Sequence, residues 1–294
     1  MIDYKLLKEN GIAPKKIKKI NNCIYIDTGK EKYILKAKKE NIKDCFNYLL
    51  SRNFHYFPKH MSIRGYDVYE YIEERKISKE EKLNEIVDLI SLLHVKTTRY
   101  KNNDIDDYKK IYENLENQLN GLEAYYSEIN DVIDSEIYMS PSHYLLVLNI
   151  SKIYSAIYFC KDELEKWYDI VKNNPKQRVV FIHNNLDIDH LLMGDKPYLI
   201  SWDKSKIDLP IYDLIELYNN GCTQMDFNIL FKRYLQKYPL KKEELKLFFI
   251  KISIPDKIEF GKDEYENTQR VKKMFEQLTC GENIIYSYYS ENLN

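Results

Sequence analysis

VVFIHNNLDIDHLLMGDKPYLISWDKSKIDLPIYDL, residues 179–214, is the one passage in the middle of this chain with the pattern of a sheet. With Arg178 before it, VVFIH is an apolar run rich in β-branched and aromatic residues, the composition of a buried strand. NNLDID (184–189) is a polar loop, HLLM (190–193) a second strand, GDKP (194–197) a turn and YLISW (198–202) a third strand. A strand, a polar loop and a tight hairpin embedded among helices is an unusual order. Loops held by rigid elements are where chemistry is usually carried.

On both sides of this passage the pattern is helical. Upstream, SKEEKLNEIVDLISLLHVKT (78–97) opens with Ser78 and Glu81 in capping-box spacing. Ile111, Leu115, Leu119, Leu122, Tyr126, Ile129 and Ile133 recur at intervals of four and three, the apolar stripe of one long helix. Ser140-Pro141 reads as an N-cap followed by proline at the first helical position, and the helix it opens is expected to bury Leu145, Leu148, Ile153, Ile157, Leu164 and Trp167. Downstream, helices are expected at about 211–219, 223–237, 241–251 and 264–279. The beginning of the chain differs. KIKKI (16–20), CIYID (23–27) and YILKAK (33–38) read as strands, the last with clear period-two alternation. A short helix follows at 40–52, then two more strands, HMSIRG (60–65) and YDVYEYIEE (66–74). The expected fold class is therefore α+β: a small antiparallel β-rich lobe over residues 1–75, and a large, mainly helical lobe over 76–294 that holds the hairpin at 179–203.

Composition narrows the partners. Forty-five basic side chains stand against 46 acidic ones, a formal net charge of -1, so the basic excess of a general nucleic-acid or anionic-membrane binder is missing. Cys23, Cys45, Cys160, Cys222 and Cys280 are odd in number and scattered, with no C-x-x-C pair, which argues against a disulfide framework and against a zinc site. The longest apolar run, residues 144–148, is far too short to cross a bilayer, and MIDYKLLKEN offers no signal peptide. A cytoplasmic protein is expected.

The frame of residues 179–214 resembles the catalytic segment of the aminoglycoside phosphotransferase and choline kinase-like family, in particular its spore-coat-associated kinase-like branch. That family writes H-G-D-x-x-x-x-N, a hairpin, I-D-W-[DE], and then D-L opening a helix. Here the same frame reads His183-Asn184-Asn185, four residues, His190, then Ile200-Ser201-Trp202-Asp203, and Asp213-Leu214. Upstream, Tyr33-Ile34-Leu35-Lys36 looks like the strand that carries the family's phosphate-binding lysine, and Leu93-His94 with Lys96-Thr97 resembles the helix ending before its helical insert. The likeness of layout covers roughly residues 15–220. The resemblance implies a bilobal, protein-kinase-like fold, with ATP as cofactor and a small hydroxyl-bearing acceptor.

Phosphoryl transfer is mostly positioning and charge neutralisation. It needs an Asp to take the acceptor's proton, an Asp and an Asn to hold Mg²⁺ through oxygen, and a lysine on the phosphates. The resemblance puts Asn185 at the base position, and an amide cannot take a proton at neutral pH. Losing a general base costs on the order of 10²–10⁴ in rate. His190 stands at the metal-binding Asn, with nitrogen where Mg²⁺ prefers oxygen, and Ser201 stands at the principal metal-binding Asp. Lys36 is intact, with Asp44 or Glu40 as candidate acids to pair with it. His183 and Asp213 read as braces of the loop, and no Gly-rich phosphate loop is visible near Asn21-Asn22. The implied site is thus Asn185, His183 and His190 at catalytic-loop positions and Lys36, Ser201 and Asp203 on the cofactor side, with Mg²⁺ disfavoured and no metal ligands assigned.

Three readings stay open. One is a pseudokinase that binds a nucleotide, a small molecule or a protein partner without turnover. Another is an unconventional phosphotransferase in which Asp187, Asp189 or Asp203 rescues metal binding. Asp203 lies two residues past Ser201, so on a strand both would share a face. The last is a structural or interaction protein that keeps only the scaffold. Its contact surface would be the aromatic tail at 284–289, although such a segment is more often packed.

Overall fold

The alternation written over residues 16–70 becomes one antiparallel sheet, and the stripes beyond residue 78 become helices. The computed structural model describes residues 4–102 and 105–292. In chain order the elements are α1 (Tyr4–Glu9), β1 (Lys16–Ile20), β2 (Cys23–Asp27), β3 (Lys32–Ala37), α2 (Ile42–Ser51), β4 (His60–Ile63), β5 (Tyr66–Glu70), α3 (Lys79–Thr97), β6 (Arg99–Asn102) and α4 (Ile105–Asp134). There follow α5 (Pro141–Leu148), α6 (Ile150–Val171), β7 (Lys176–Ile182), β8 (Leu191–Met193), β9 (Pro197–Leu199), β10 (Lys206–Asp208), α7 (Ile211–Gly221), α8 (Phe227–Lys237), α9 (Lys242–Ser253) and α10 (Glu264–Asn292). The chain forms two compact units, Met1–Thr97 with Phe181–Ile207, and Thr98–Val180 with Asp208–Asn294.

In the first unit the sheet order is β1-β2-β3-β5-β4. Register is set by period-two burial: Ile26 stands opposite Tyr33, and Leu35 opposite Val68. One face of the sheet buries Ile26, Leu35, Ile63 and Val68 against Leu7 and Ile12 from α1 and the loop after it. A slip of one residue would turn all four strand side chains outward. The opposite face carries Lys36, Asp67 and Tyr69 and meets α2, whose Phe46 stacks on Phe57 at 4.4 Å and lies edge-on to Tyr69 at 6.2 Å. α3 is N-capped as its spacing implies, with Ser78 Oγ accepting from the Glu81 amide at 3.1 Å. The hairpin β8–β9 pairs Leu191 with Leu199 and is tied to the N-terminal segments, the Leu199 amide donating to Tyr56 O at 2.8 Å and the Arg75 amide to Met193 O at 2.6 Å.

The second unit is helical apart from its strands. β6 pairs antiparallel with β7, Arg99 opposite Val179 and Asn102 opposite Lys176. α6 lies between α4 and α9 and buries Ile153, Ile157, Leu164 and Trp167. On α4, Leu115, Leu119, Leu122, Tyr126 and Ile133 are buried as the stripe requires.

Three local expectations are corrected. The helix opened by Ser140 and Pro141 is two helices, because Asn149 leaves helical geometry (φ -120°, ψ 10°) and its side-chain amide caps the Leu145 carbonyl at 2.9 Å. The break shifts the phase of the stripe, so Leu146 is buried and Leu148 is 61% exposed. The last helix runs on past 279 to Asn292 and carries the tail with it. Ile284 is buried there, and Tyr288 lies edge-on to Phe249 at 5.4 Å. YLISW is strand only as far as Leu199. Ser201 adopts the left-handed region and Trp202–Lys204 a 3-10 turn, so Ser201 and Asp203 do not share a strand face.

Candidate active site

The first unit holds every site residue expected from sequence: Lys36 on β3, His183, Asn185 and His190 in the loop after β7, and Ser201 and Asp203 after β9. α3 anchors the start of that loop. Thr97 Oγ1 donates to Leu93 O at 2.7 Å and accepts from the Phe181 amide at 3.0 Å, so the helix ending fixes the strand two residues before His183.

From His183 onward the loop and the segment after β9 are knotted together by hydrogen bonds. His183 is buried and its Nε2 donates to Ile200 O at 2.9 Å, while its ring sits edge-on to Trp202 at 4.6 Å. Trp202 in turn donates to Leu199 O at 2.8 Å and packs against Phe54 at 5.9 Å. Asn184 takes φ 56°, a conformation that glycine reaches freely and that asparagine tolerates best among side-chain-bearing residues. Its side-chain amide donates to Lys204 O at 3.1 Å. Asn185 Nδ2 donates to Ser201 O at 3.1 Å, His190 Nδ1 to Asn185 O at 2.6 Å, and the Ile200 amide to His190 O at 3.0 Å. A carbonyl can only accept, so Nδ1 of His190 carries the proton and the lone pair of the neutral ring is on Nε2. The structure therefore brings His183, Asn185, His190 and Ser201 together.

Lys36 belongs to a second cluster on the same unit. Its ammonium lies 5.9 Å from the Tyr69 ring centroid, a cation–π distance. Among the described residues it makes no ion pair, and neither Asp44 nor Glu40 reaches it. The acid opposite Lys36 across β3–β5 is Asp67. This buried carboxylate is already satisfied, by His60 Nε2 at 3.0 Å, Ser62 Oγ at 3.0 Å and the Lys39 amide at 2.8 Å. Tyr69 is held well above the usual phenol range by burial first, then by the negative charge of Asp67 and of Asp203. Asp203, an exposed carboxylate, is thus near enough for its charge to act on the Tyr69 phenol. Cys45 on α2 meets Ser205 at 3.4 Å, and burial pushes its thiol up to about 11, which makes it inert. Sequence reasoning missed Asp67, His60 and Tyr69, whose place follows only from the pairing register. Asp213 is buried in the first turn of α7, in the second unit.

At the positions where the resemblance implies ligands of Mg²⁺, the chain has Ser201 and His190, neither of them an anionic oxygen donor. Among the described residues no group of three or more His, Cys, Asp and Glu gathers where a metal could be held. Ser201 offers a neutral hydroxyl, His190 a nitrogen, and Asp187 spends an oxygen on the Asp189 amide at 2.9 Å. A nucleotide's phosphates fit better, because Lys36 is a cation without a carboxylate partner on a partly buried sheet face.

No protein-family model matches the sequence, and no curated protein matches it. Solved structures do match in fold. An aminoglycoside phosphotransferase from Alicyclobacillus acidocaldarius superposes with a TM-score of 0.76 at 10% identity, over 99% of this chain and 96% of that one. A choline kinase from Streptococcus pneumoniae gives 0.51 at 17% identity, over 94% and 98%. A spectinomycin phosphotransferase in complex with AMP gives 0.53 at 13% identity, over 98% and 93%. The chain has the protein-kinase-like phosphotransferase fold of these proteins, a small antiparallel sheet with a large helical part. Among the described residues no helix is long and apolar enough to cross a membrane.

Proposed function

We propose that this chain is a pseudokinase: a kinase-like protein that binds a nucleotide beside Lys36 and does not carry out Mg²⁺-dependent phosphoryl transfer. The observation that carries this reading is the knot itself. Asn185, His190 and Ser201 hydrogen-bond to one another's backbone, with no carboxylate among them. Without a base the acceptor hydroxyl keeps its proton, and without anionic oxygen ligands the metal that neutralises the transferring phosphoryl has no seat. The spectinomycin phosphotransferase bound to AMP supports a nucleotide as the ligand, and Lys36 is the residue that would meet its phosphates. The division into a β-rich lobe over 1–75 and a helical lobe over 76–294, and a cytoplasmic setting, belong to the same proposal.

A second reading has one observation in its favour. Asp203 is exposed and its charge acts on Tyr69, the ring beside Lys36, so that a carboxylate there could recruit a metal in an unconventional phosphotransferase. The triple variant Asn185→Asp, His190→Asn, Ser201→Asp separates the two. If the pseudokinase reading holds, ATP binds the wild-type chain equally with Mg²⁺ or with chelator, and the variant gains about tenfold or more in ATP affinity when Mg²⁺ is added. Metal-dependent ATP turnover by the wild type, lost in Asp203→Ala, would instead establish the second reading.

A further inference from the structure

The second unit contains a half-open cavity of about 570 Å³ lined by α4, α7, the end of α9 with the loop after it, and α10. That is the size of a small-molecule site. Its lining is mixed: Leu122, Ile215 and Met274 are among the apolar walls, asparagines and glutamines of α4, α7 and α10 are polar, and Lys251, Asp256 and Lys257 carry charge. Lys257 is engaged, its ammonium 4.6 Å from the Tyr125 ring centroid, and Asp256 is exposed.

Lys251 is different. It is half-buried in the last turn of α9 and, among the described residues, has neither an ion pair nor a hydrogen bond. The negative end of a helix favours a lysine in this turn, but an ammonium in open water would serve that purpose equally. Burial lowers the pKa of Lys251, and no neighbouring carboxylate raises it back. A desolvated cation without a counter-charge is a cost that an anionic ligand would remove.

Gly121 is the second, independent observation. It lies inside the 30-residue helix α4, where glycine is about 1 kcal/mol worse than alanine, so packing would have to justify it. It does not: Gly121 is exposed, a Cβ built on it meets nothing within 4 Å, and it is among the residues lining the open cavity. The bare backbone leaves room in a pocket that the chain could have filled without strain.

We propose that this cavity is a binding site for a small organic monoanion, a carboxylate with an apolar body, whose charge pairs with Lys251 and whose body lies against Leu122, Ile215 and Met274. A single ammonium matches a single negative charge better than a phosphate dianion, and the apolar walls reward a hydrocarbon body. This site is independent of the nucleotide reading, since none of its residues belongs to the Lys36 or His183 clusters.

The test is a ligand-observed NMR titration of the full chain with phenylacetate and hexanoate, with inorganic phosphate alongside. Both carboxylates are expected to bind saturably, Lys251→Gln to weaken them about tenfold or more, and Gly121→Leu to abolish binding by filling the cavity. Gly121→Leu places a good helix former inside a helix, and an unchanged far-UV circular dichroism spectrum and a cooperative thermal melt in both variants would show that the fold is intact. Absence of saturable carboxylate binding to the wild type would overturn the proposal. So would equal binding by wild type and Lys251→Gln, or phosphate binding as tightly as phenylacetate.

Discussion

Asn184 and Ser201 are the strained points of the candidate site, with φ of 56° and 68°. A side chain in the left-handed region costs roughly 1–2 kcal/mol relative to glycine, less for asparagine, whose amide can bond locally. Asn184→Gly is therefore expected to leave the urea midpoint within the equivalent of about 0.5 kcal/mol of wild type, because relief of strain offsets the lost bond to Lys204. Asn184→Ala keeps the strain, loses the bond, and is expected to destabilise by about 1–2 kcal/mol. At this scale the sequence was informative where residues are adjacent: the frame His183-Asn184-Asn185 puts asparagine where the resembled family has glycine, and the backbone there has a glycine-like φ. It was silent on Asp67. The register of β3 with β5, and not any spacing along the chain, sets Asp67 opposite Lys36. His60 and Ser62 on the neighbouring strand then occupy its carboxylate.

Among the elements, two helical glycines make opposite predictions. A Cβ on Gly281 in α10 would lie 3.1 Å from Tyr218 Oη and 3.2 Å from the Ile252 carbonyl, so α10 approaches α9 and α7 closely only because that position is bare. Gly281→Ala is expected to destabilise by about 1 kcal/mol despite the gain in helix propensity, since backbone must move. Gly121→Ala meets nothing and is expected to stabilise by about 0.5–1 kcal/mol. Thermal melts of the two variants against wild type decide both. Stripes and caps were legible because they are local: Ser78 and Ser140 cap the helices their spacing announced. The break at Asn149 was not, because nothing in a continuous apolar run says that a side-chain amide will take the Leu145 carbonyl. The tail at 284–289 read equally as interface or packed terminus, and its aromatic contacts with Phe249 and Phe231 are made inside the second unit.

For the molecule as a whole, the fold class was readable because the period of the hydrophobic pattern changes from two to 3.6 after residue 75 and returns to two only around the hairpin. The same fold at 10% identity shows how little sequence is needed to keep it. Stability at low pH tests the packing of the helical unit. Glu163 on α6 is buried, which alone would raise its pKa, yet hydrogen bonds from Lys246 and Lys166 hold it below its ordinary value of 4.5. A carboxylate depressed in the folded state contributes stability above its unfolded pKa, and that contribution is lost as pH falls through the folded value. Glu163→Gln is therefore expected to lower the urea midpoint at pH 7 by the equivalent of roughly 1 kcal/mol, with the difference shrinking towards pH 3. The measurement that bears most directly on the central claim is the melting temperature of the wild-type chain with millimolar ATP, once with Mg²⁺ and once with chelator. At about 100 times its dissociation constant a ligand stabilises by roughly 2.7 kcal/mol, a shift of a few degrees in a domain of this size. The account predicts the same upward shift with and without metal, lost in Lys36→Met. A shift that appears only with Mg²⁺, or no shift under either condition, would contradict it.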